Sequence, residues 1–164
     1  INSDKKFMKN MFKNILVPME KDGVDFWWLD WQQGMFDSKM KNLSNTWWIN
    51  YAFFSDMERM RDTRPLLYHR WGGLGNHRYQ IGFSGDAIIS WKSLAFQPYF
   101  TNCASNVLYG YWSHDIGGHM FKKGDKQELD PELFTRWMQY GVFTPVFRTH
   151  STKNAVLNLS LIHI

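Results

Sequence analysis

The sequence lacks most of what disulfide-linked, zinc-bound or membrane-spanning proteins need. Its 164 residues contain one cysteine, Cys103, so no disulfide can form within the chain and no cysteine-based zinc site exists. Cys103 is therefore predicted to be a small buried apolar residue. No run reaches 18 apolar residues, so no membrane-spanning helix is expected. The amino terminus also lacks the basic-then-apolar pattern of a secretory signal.

The charge pattern lacks the features of a nucleic-acid groove. The formal net charge is +4, but no stripe of Lys and Arg alternates with exposed aromatic residues. We therefore expect neither nucleic acid nor a membrane as a partner, and the oligomeric state is left open. The chain is expected to begin inside a domain, so the missing signal does not decide the compartment, for which the cytoplasm is slightly favoured.

Aromatic residues, by contrast, are abundant. They make up 18% of the chain, with 9 tryptophans, while 44% of residues are hydrophobic and 21% are charged. These proportions indicate a globular protein. Faces of Trp and Tyr pack well against the C–H faces of sugars, but aromatic-rich cores are common too, so composition alone supports sugar binding only weakly.

The hydrophobic pattern alternates between helix-like and strand-like segments. Apolar residues at three- and four-residue spacing predict four helices. These are expected over residues 3–20, 47–60, 88–100 and 131–140. Asn45 or Thr46 could cap the second helix, and Asp130 is predicted to cap the last.

Short apolar runs predict five strands between these helices. These are expected over residues 24–30, 65–70, 78–83, 107–112 and 142–147. The first is almost continuously apolar, which is typical of a parallel strand buried on both faces. The alternation predicts a parallel α/β architecture, and polar, Gly-containing segments follow the strands, where (β/α) barrels carry their chemistry.

Two aspartates follow strand-like runs directly. Asp30 ends the run from Val24 and lies among tryptophans, and Asp86 follows Phe83-Ser-Gly. Cleavage of a glycosidic bond uses two carboxyl groups, one as the acid and one as the nucleophile or base. The alternative is structural: Asp30 would cap the turn after its strand, and Asp86 would cap the helix predicted from Ile88.

Other polar side chains also follow strands. Arg70 could pair with a catalytic carboxylate or with sugar hydroxyls, or it could form a structural salt bridge. His114, Asp115 and His119 share a Gly-rich loop whose spacing fits no familiar zinc pattern, so hydroxyl binding is favoured over a metal.

Two further polar side chains end the last predicted strand. Arg148 and His150 are predicted to start on opposite faces of that strand. His150 is expected to face the barrel mouth, with Arg148 bracing it from behind.

In combination these segments resemble glycoside hydrolase family 31, the α-glucosidase and α-xylosidase family. The matching motifs, in the family's order, are Trp28-Leu-Asp30, Phe83-Ser-Gly-Asp86, the Gly-Ala-Asp-like Ser113-His-Asp115 with Gly117-Gly118, and Arg148-Thr-His150. Arg70 stands where the family has a substrate-contacting arginine. The stretch from Arg136 to Pro145 is similar to the family's helix before the last strand.

The resemblance covers about residues 3–155 and implies an α/β fold, a partial (β/α)8 TIM barrel with roughly strands four to eight of the catalytic domain. Residues 1–156 are predicted to be that partial domain. Residues 157–164 do not resemble the family's continuation and are left unassigned, with foreign sequence as one interpretation.

The resemblance also implies an activity, that of a retaining α-glycosidase acting on terminal non-reducing α-linked sugars, with α-glucosides favoured. Asp30 would be the nucleophile, and Asp86 would be the general acid and then the base. The residues implied to bind the sugar are Trp28, Arg70, Phe83, Asp115 and His150. The implied supporting residues are Arg148, Trp31 and His119. No metal or organic cofactor is implied, and the expected partner is an oligosaccharide or α-glycoside.

Departures from the family pattern leave the sugar open. Gln32 and Gln33 stand where many members have Asn and Glu, Ala87 stands where Asn is frequent, and His119 replaces an aromatic residue. Alternatives are α-xylosidase, α-galactosidase-like, α-N-acetylhexosaminidase or transglycosylating activity, or a non-catalytic sugar-binding protein on the same scaffold. The isolated fragment is expected to be inactive.

Overall fold

A computed structural model of the chain describes residues 3–30, 42–70 and 73–150. The chain divides into two compact units, Ile1–Gly82 and Phe83–Ile164. The predicted domain boundary at residue 156 and the unassigned tail lie outside the described residues, so both stay predictions. Within the three described ranges, no helix combines the length and apolarity needed to cross a membrane.

The first unit opens with the predicted amphipathic helix. It consists of α1 (Lys5–Met11), a π-helical turn (Phe12–Leu16) and α2 (Val17–Lys21). Asp4 caps α1, because its Oδ1 accepts hydrogen bonds from the amides of Lys6 and Phe7 at 2.9 and 3.0 Å. The sequence pattern did not predict the wider turn, for which Pro18 gives a local reason, since proline cannot donate to a carbonyl one turn earlier.

Strand β1 (Trp27–Leu29) is shorter than predicted, and the expectation of burial on both faces is wrong. Leu29 is 2% exposed, but Trp28 is 36% exposed. Successive side chains of a strand point to opposite faces. Trp27 and Leu29 therefore pack into the apolar cluster of the first unit, while Trp28 lies on the other face.

Helix α3 (Asn45–Met60) begins one residue after Ser44, which is its cap. The Ser44 Oγ accepts a hydrogen bond from the amide of Trp47 at 3.3 Å. The predictions of Asn45 or Thr46 as the cap are wrong, because both are buried inside the first helical turn.

Strand β2 (Leu67–Arg70) pairs with β1 in parallel, with Trp28 beside Tyr68 and Leu29 beside His69. A 3-10 turn (Asn76–Tyr79) replaces the start of the strand predicted over 78–83, so that β3 spans only Ile81–Phe83. The break has a local cause, since Gln80 has a φ of 71°.

In the first unit the strands are neighbours in the order β1-β2-β3. Their core side chains pack with the helices into one apolar cluster. Its buried members are Met8, Leu16, Leu29, Ile49, Phe53, Met57, Leu67 and Tyr79.

The second unit begins at the end of β3 and continues through α4 (Trp91–Asn106), β4 (Tyr111–Ser113) and α5 (Pro131–Gly141). The amide of Ser84 donates to the carbonyl of Ser113 at 3.0 Å, which joins the end of β3 to β4. Asp130 caps α5 as predicted, with its carboxylate accepting from the amides of Glu132 and Leu133.

Three predictions for this unit are corrected. The helix predicted over 88–100 begins at Trp91 and ends at Asn106, so the next strand starts later than residue 107. The predicted strand over 142–147 is a turn followed by single parallel bridges at Val146 and Thr149. Cys103 is only partly buried, because it lies one helical turn from Tyr99, which is 66% exposed.

Two apolar clusters form the interior of the second unit. One packs α5 against the loop after β4, with Ile89, Leu94, Ile116, Leu133 and Trp137 buried. The other surrounds Trp112 of β4. Strand and helix alternate in both units, which confirms the predicted α/β class.

Candidate active site

In the first unit, Asp30 and Arg70 lie side by side at the carboxyl ends of β1 and β2. The parallel register pairs Leu29 with His69, so the residues that follow them, Asp30 and Arg70, lie next to each other. Arg70 Nε donates a hydrogen bond to Asp30 Oδ1. The Arg70 side chain is 4% exposed and that of Asp30 is 30% exposed, so the cation is buried while its carboxylate keeps contact with solvent. The predicted pairing of Arg70 with a strand-end carboxylate is therefore found.

The same register brings two aromatic rings together. Trp28 stacks on Tyr68, with ring centroids 5.1 Å apart and planes 26° apart. Trp28 keeps 36% of its surface exposed, so part of its ring can be reached by a ligand. Trp31, expected to support this site, lies outside the described residues, as does the turn that Asp30 would cap.

His69, which the sequence analysis did not single out, precedes Arg70 and is fully buried. Burial lowers the pKa of His69 to about 4, so its ring is neutral at neutral pH. Residues packed on both faces of a strand show no helical or alternating signal, which is why the pattern did not reveal it.

In the second unit, Asp86 follows the tight turn made by Ser84 and Gly85. Gly85 has a φ of 82°, a conformation that glycine adopts without steric cost. The helix that follows is capped by Ser90, whose Oγ accepts from the amide of Ser93 at 3.1 Å. The interpretation of Asp86 as the helix cap is therefore wrong. Asp86 instead lines a cavity of about 570 Å³ together with Lys92 and Lys122.

The loop after β4 carries a second carboxylate–arginine pair. Asp115 is fully buried, and Arg148 Nη2 donates to its Oδ1 at 2.5 Å. Burial raises the pKa of Asp115, and the adjacent Arg148 guanidinium offsets part of that effect. The guanidinium also lies 5.5 Å from the centre of the Phe83 ring, which is 1% exposed. Phe83 therefore supports Arg148 from below.

Two imidazoles adjoin this pair. The rings of His119 and His150 stack with centroids 4.8 Å apart and planes 16° apart, and His119 Nδ1 lies 3.9 Å from Asp115 Oδ2. The prediction that Arg148 and His150 start on opposite faces is wrong. Residues two apart in extended backbone share a face, and both side chains reach the group around Asp115.

Asp115, His119 and His150 offer donor atoms that all lie within 4.8 Å of one another, a spacing that could hold a metal ion. However, a metal bound by a histidine lies in the plane of its ring. The two nearly parallel rings share no such plane, so ligation by both would require one ring to rotate. The present arrangement suits hydroxyl groups better, because it combines donors and acceptors that face one small region.

His114 departs from the expectation that it belongs with this group. It is fully buried, and its ring contacts Ser84, Thr101 and Tyr140. Successive side chains in extended backbone point to opposite faces, so His114 points away from its neighbour Asp115. The adjacency of the two residues in the sequence could have indicated this difference.

Residues 2–158 match the model of the glycosyl hydrolases family 31 TIM-barrel domain. The chain belongs to glycoside hydrolase family 31. Its fold is a partial (β/α)8 barrel, as predicted, with four of the strands described here and the parallel bridges after them.

Several family 31 proteins are similar to the chain over part of its length. An α-xylosidase of Saccharolobus solfataricus is 30% identical over 103 residues, which is 62% of this chain and 14% of that protein. α-Glucosidase 2 of Bacillus thermoamyloliquefaciens is 37% identical over 102 residues, covering 60% of this chain and 12% of that protein. A lysosomal α-glucosidase of Mus musculus is 34% identical over 126 residues, covering 74% of this chain and 12% of that protein.

Solved structures share the fold. A family 31 dextranase of Flavobacterium johnsoniae, complexed with glucose, superposes with a TM-score of 0.76 at 23% identity and covers 98% of this chain and 22% of that one. The chain thus spans less than a quarter of that dextranase and 12–14% of the three relatives above.

Proposed function

We propose that the complete enzyme containing this family 31 chain is a retaining α-glycosidase that removes terminal non-reducing α-linked sugars, with α-glucosides as its main substrates. The single observation that carries the proposal is the Asp30–Arg70 pair, in which the carboxylate is partly exposed and its cation is buried. Relatives named α-glucosidase support the choice of sugar.

Asp30 is the proposed nucleophile. One of its oxygens accepts the Arg70 hydrogen bond, which holds the carboxylate in a single orientation, and the side chain still reaches solvent. Attack of Asp30 on the anomeric carbon would form a covalent glycosyl-enzyme and release the leaving group. Trp28, stacked on Tyr68, would pack beside the sugar.

Asp86 is the proposed acid and base. As the acid it would donate a proton to the departing glycosidic oxygen, and as the base it would then take a proton from the water that hydrolyses the intermediate. Its place on the wall of a cavity supports this role, since the leaving group and the water both need space there. The proposed chemistry requires no metal or organic cofactor.

Asp115 and His150 are proposed to bind sugar hydroxyls, with Arg148 and His119 supporting them. Arg148 fixes the Asp115 carboxylate through Oδ1, and Oδ2 is buried without a hydrogen-bond partner. A hydroxyl could donate to that oxygen, which would relieve the cost of leaving a buried acceptor unsatisfied. Such contacts strengthen as charge develops on the sugar ring, so they would raise the rate as well as the affinity.

An α-xyloside is the second candidate substrate. It is favoured by the relative named α-xylosidase, which is 30% identical to the chain over 103 residues. Xylose lacks the hydroxymethyl group of glucose, so the two candidates differ in how much space the pocket must leave.

The test is covalent trapping with the complete enzyme. A fluorinated α-glucosyl fluoride that slows deglycosylation would label the nucleophile, and mass spectrometry would locate the adduct. Trypsin should release residues 22–39, which include Asp22, Asp25, Asp30 and Asp37, so fragment ions must assign the site. We expect the label on Asp30, none in Asp30→Asn, and full labelling in the matched control Asp25→Asn.

The outcomes separate the proposals. Labelling by the xylosyl analogue but not by the glucosyl one would replace the α-glucoside with an α-xyloside. A label on another residue would refute the role of Asp30. If no α-glycosyl fluoride in a panel reacts, while sugars still quench tryptophan fluorescence, the parent is a sugar-binding protein without catalysis.

A further inference from the structure

His114 is the centre of a buried hydrogen-bond network in the second unit. Its Nδ1 lies 3.0 Å from Ser84 Oγ, and its Nε2 lies 2.9 Å from Thr101 Oγ1 and 3.0 Å from the Tyr140 hydroxyl. The Thr101 and Tyr140 hydroxyls are themselves 2.6 Å apart. The ring is therefore held between the end of β3, helix α4 and helix α5.

The ring is neutral in this setting. Burial, with the nearby Arg148 charge as a second cause, lowers the pKa of His114 to about 4. A neutral imidazole has one donor and one acceptor nitrogen, and hydroxyl groups can serve either, so every ring nitrogen is satisfied in both tautomers. Such fully satisfied buried networks hold their members in one arrangement.

Ser84 is fixed at two points by this arrangement. Its amide donates to the Ser113 carbonyl at 3.0 Å, and its hydroxyl bonds to the neighbouring His114. Only Gly85, with a φ of 82°, separates Ser84 from Asp86. A residue locked by both backbone and side chain therefore defines where the turn carrying Asp86 begins.

We propose that His114 is a positioning residue, which holds Ser84 and thereby sets the position of the Asp86 carboxyl group for proton transfer. The inference rests on the proposed role of Asp86.

The test compares two substrates of the complete enzyme that differ only in their need for an acid. A methyl α-glycoside needs protonation of its leaving group, whereas an α-glycosyl fluoride needs far less. Both carry the sugar that labels the enzyme in the trapping experiment. The measured quantity is kcat/KM, which reports the glycosylation step, and Asp86→Asn is the reference for a missing acid.

We expect Ser84→Ala to lower kcat/KM about 10- to 100-fold for the methyl glycoside and to leave that for the fluoride near the wild-type value. Two substitutions of His114 each keep the contacts of one ring nitrogen and remove those of the other. Asn places an amide near the Nδ1 position and can still bond Ser84, whereas Gln reaches the Nε2 position. His114→Gln should therefore behave like Ser84→Ala, and His114→Asn should restore most of the loss.

Tyr140→Phe is the matched control, because it removes a hydroxyl from the network and leaves the bond between His114 and Ser84 in place. It should affect both substrates equally and slightly. If Asp86→Asn lowers kcat/KM more for the methyl glycoside than for the fluoride and Ser84→Ala does not, the positioning role is overturned while the acid role of Asp86 stands. If Asp86→Asn lowers both equally, the acid role of Asp86 fails and the inference fails with it.

Discussion

Each unit of the chain holds a carboxylate–arginine pair, and the two pairs are built in opposite ways. In the first unit the Arg70 side chain is 4% exposed and that of Asp30 is 30% exposed. In the second, Asp115 has no exposed surface and the Arg148 side chain is 19% exposed. In each pair one member directly follows a buried histidine. Arg70 follows His69, and Asp115 follows His114.

Under the proposed roles, the contrast would separate the carboxylate that reacts from the one that binds hydroxyls. A carboxylate that keeps solvent access can be reached by an anomeric carbon, whereas one sealed behind a guanidinium can only accept hydrogen bonds from what enters beside it. The ion pair itself is therefore a poor guide to function. The exposure of its anionic partner, which decides what can approach it, is the better guide.

The largest effect is expected at Asp30. Asp30→Gly should lower kcat/KM more than about 10⁴-fold, because it removes the proposed nucleophile. Azide should restore part of the activity and yield a glycosyl azide of inverted anomeric configuration, which chromatography or NMR would identify. Asp115→Gly should gain nothing from azide. Azide rescue at Asp115 in place of Asp30 would reverse the assignment drawn from the two exposures.

The second effect concerns stability. Asp115→Ala should destabilise the protein by about 3–5 kcal/mol, because it removes the buried carboxylate that compensates the Arg148 charge. Asp30→Ala should lower the apparent melting temperature by a comparable amount, because it removes the carboxylate that accepts from Arg70, whose side chain is only 4% exposed. Adding Arg148→Met to Asp115→Ala should recover part of the loss, because the uncompensated charge is gone. A double variant no more stable than Asp115→Ala would contradict this account.

The third effect is a loss of stability in acid. His69 and His114 have pKa values of about 4 in the folded state, below the ordinary 6.5, so the unfolded chain binds more protons between these values. Each neutral ring contributes stability that is fully present above pH 6.5 and is lost as the pH falls toward 4, by about 3 kcal/mol at most.

Melting temperatures across pH 4–7 would test this share. His114→Asn should remove the contribution of that histidine and make the melting temperature less dependent on pH. Equal slopes in the wild type and His114→Asn would show that burial of His114 does not act through its charge.

The smallest effect is expected from conservative changes of the two cations. Arg70→Lys keeps the charge but loses the Nε donor that orients Asp30, and we expect about a tenfold lower kcat. Arg148 orients Asp115, which is proposed to bind sugar hydroxyls, so Arg148→Lys should raise KM more than it lowers kcat. Steady-state kinetics of both variants would measure kcat and KM separately. If the two variants changed kcat and KM in the same way, the two pairs would not differ in function.

The sequence predicted the helices, most strands and the order of the motifs well. It predicted the boundaries of these elements and their tertiary contacts poorly. Helix 3–20 and the Asp130 cap are confirmed, because both depend on neighbouring residues alone. The strand predicted over 142–147 was wrong, because single bridges depend on partners distant in the chain.

The site shows the same division. The sequence left three alternatives for Arg70, which were a catalytic carboxylate, sugar hydroxyls and a structural salt bridge. The structure shows an ion pair with Asp30. The relation between Arg148 and His150 was predicted wrongly, although two-residue spacing in extended backbone determines it. The roles proposed for Asp30, Asp86 and the sugar-binding residues stay predictions.

By itself, then, the sequence determined the alternation of strands and helices, the family and the presence of carboxylates at strand ends, since these follow from local pattern and motif order. Only the tertiary structure decided which partner of each ion pair is buried. It also placed His114 beneath Ser84 and not beside Asp115. Burial and hydrogen-bond partners depend on which distant segments pack together, and no local pattern contains that information.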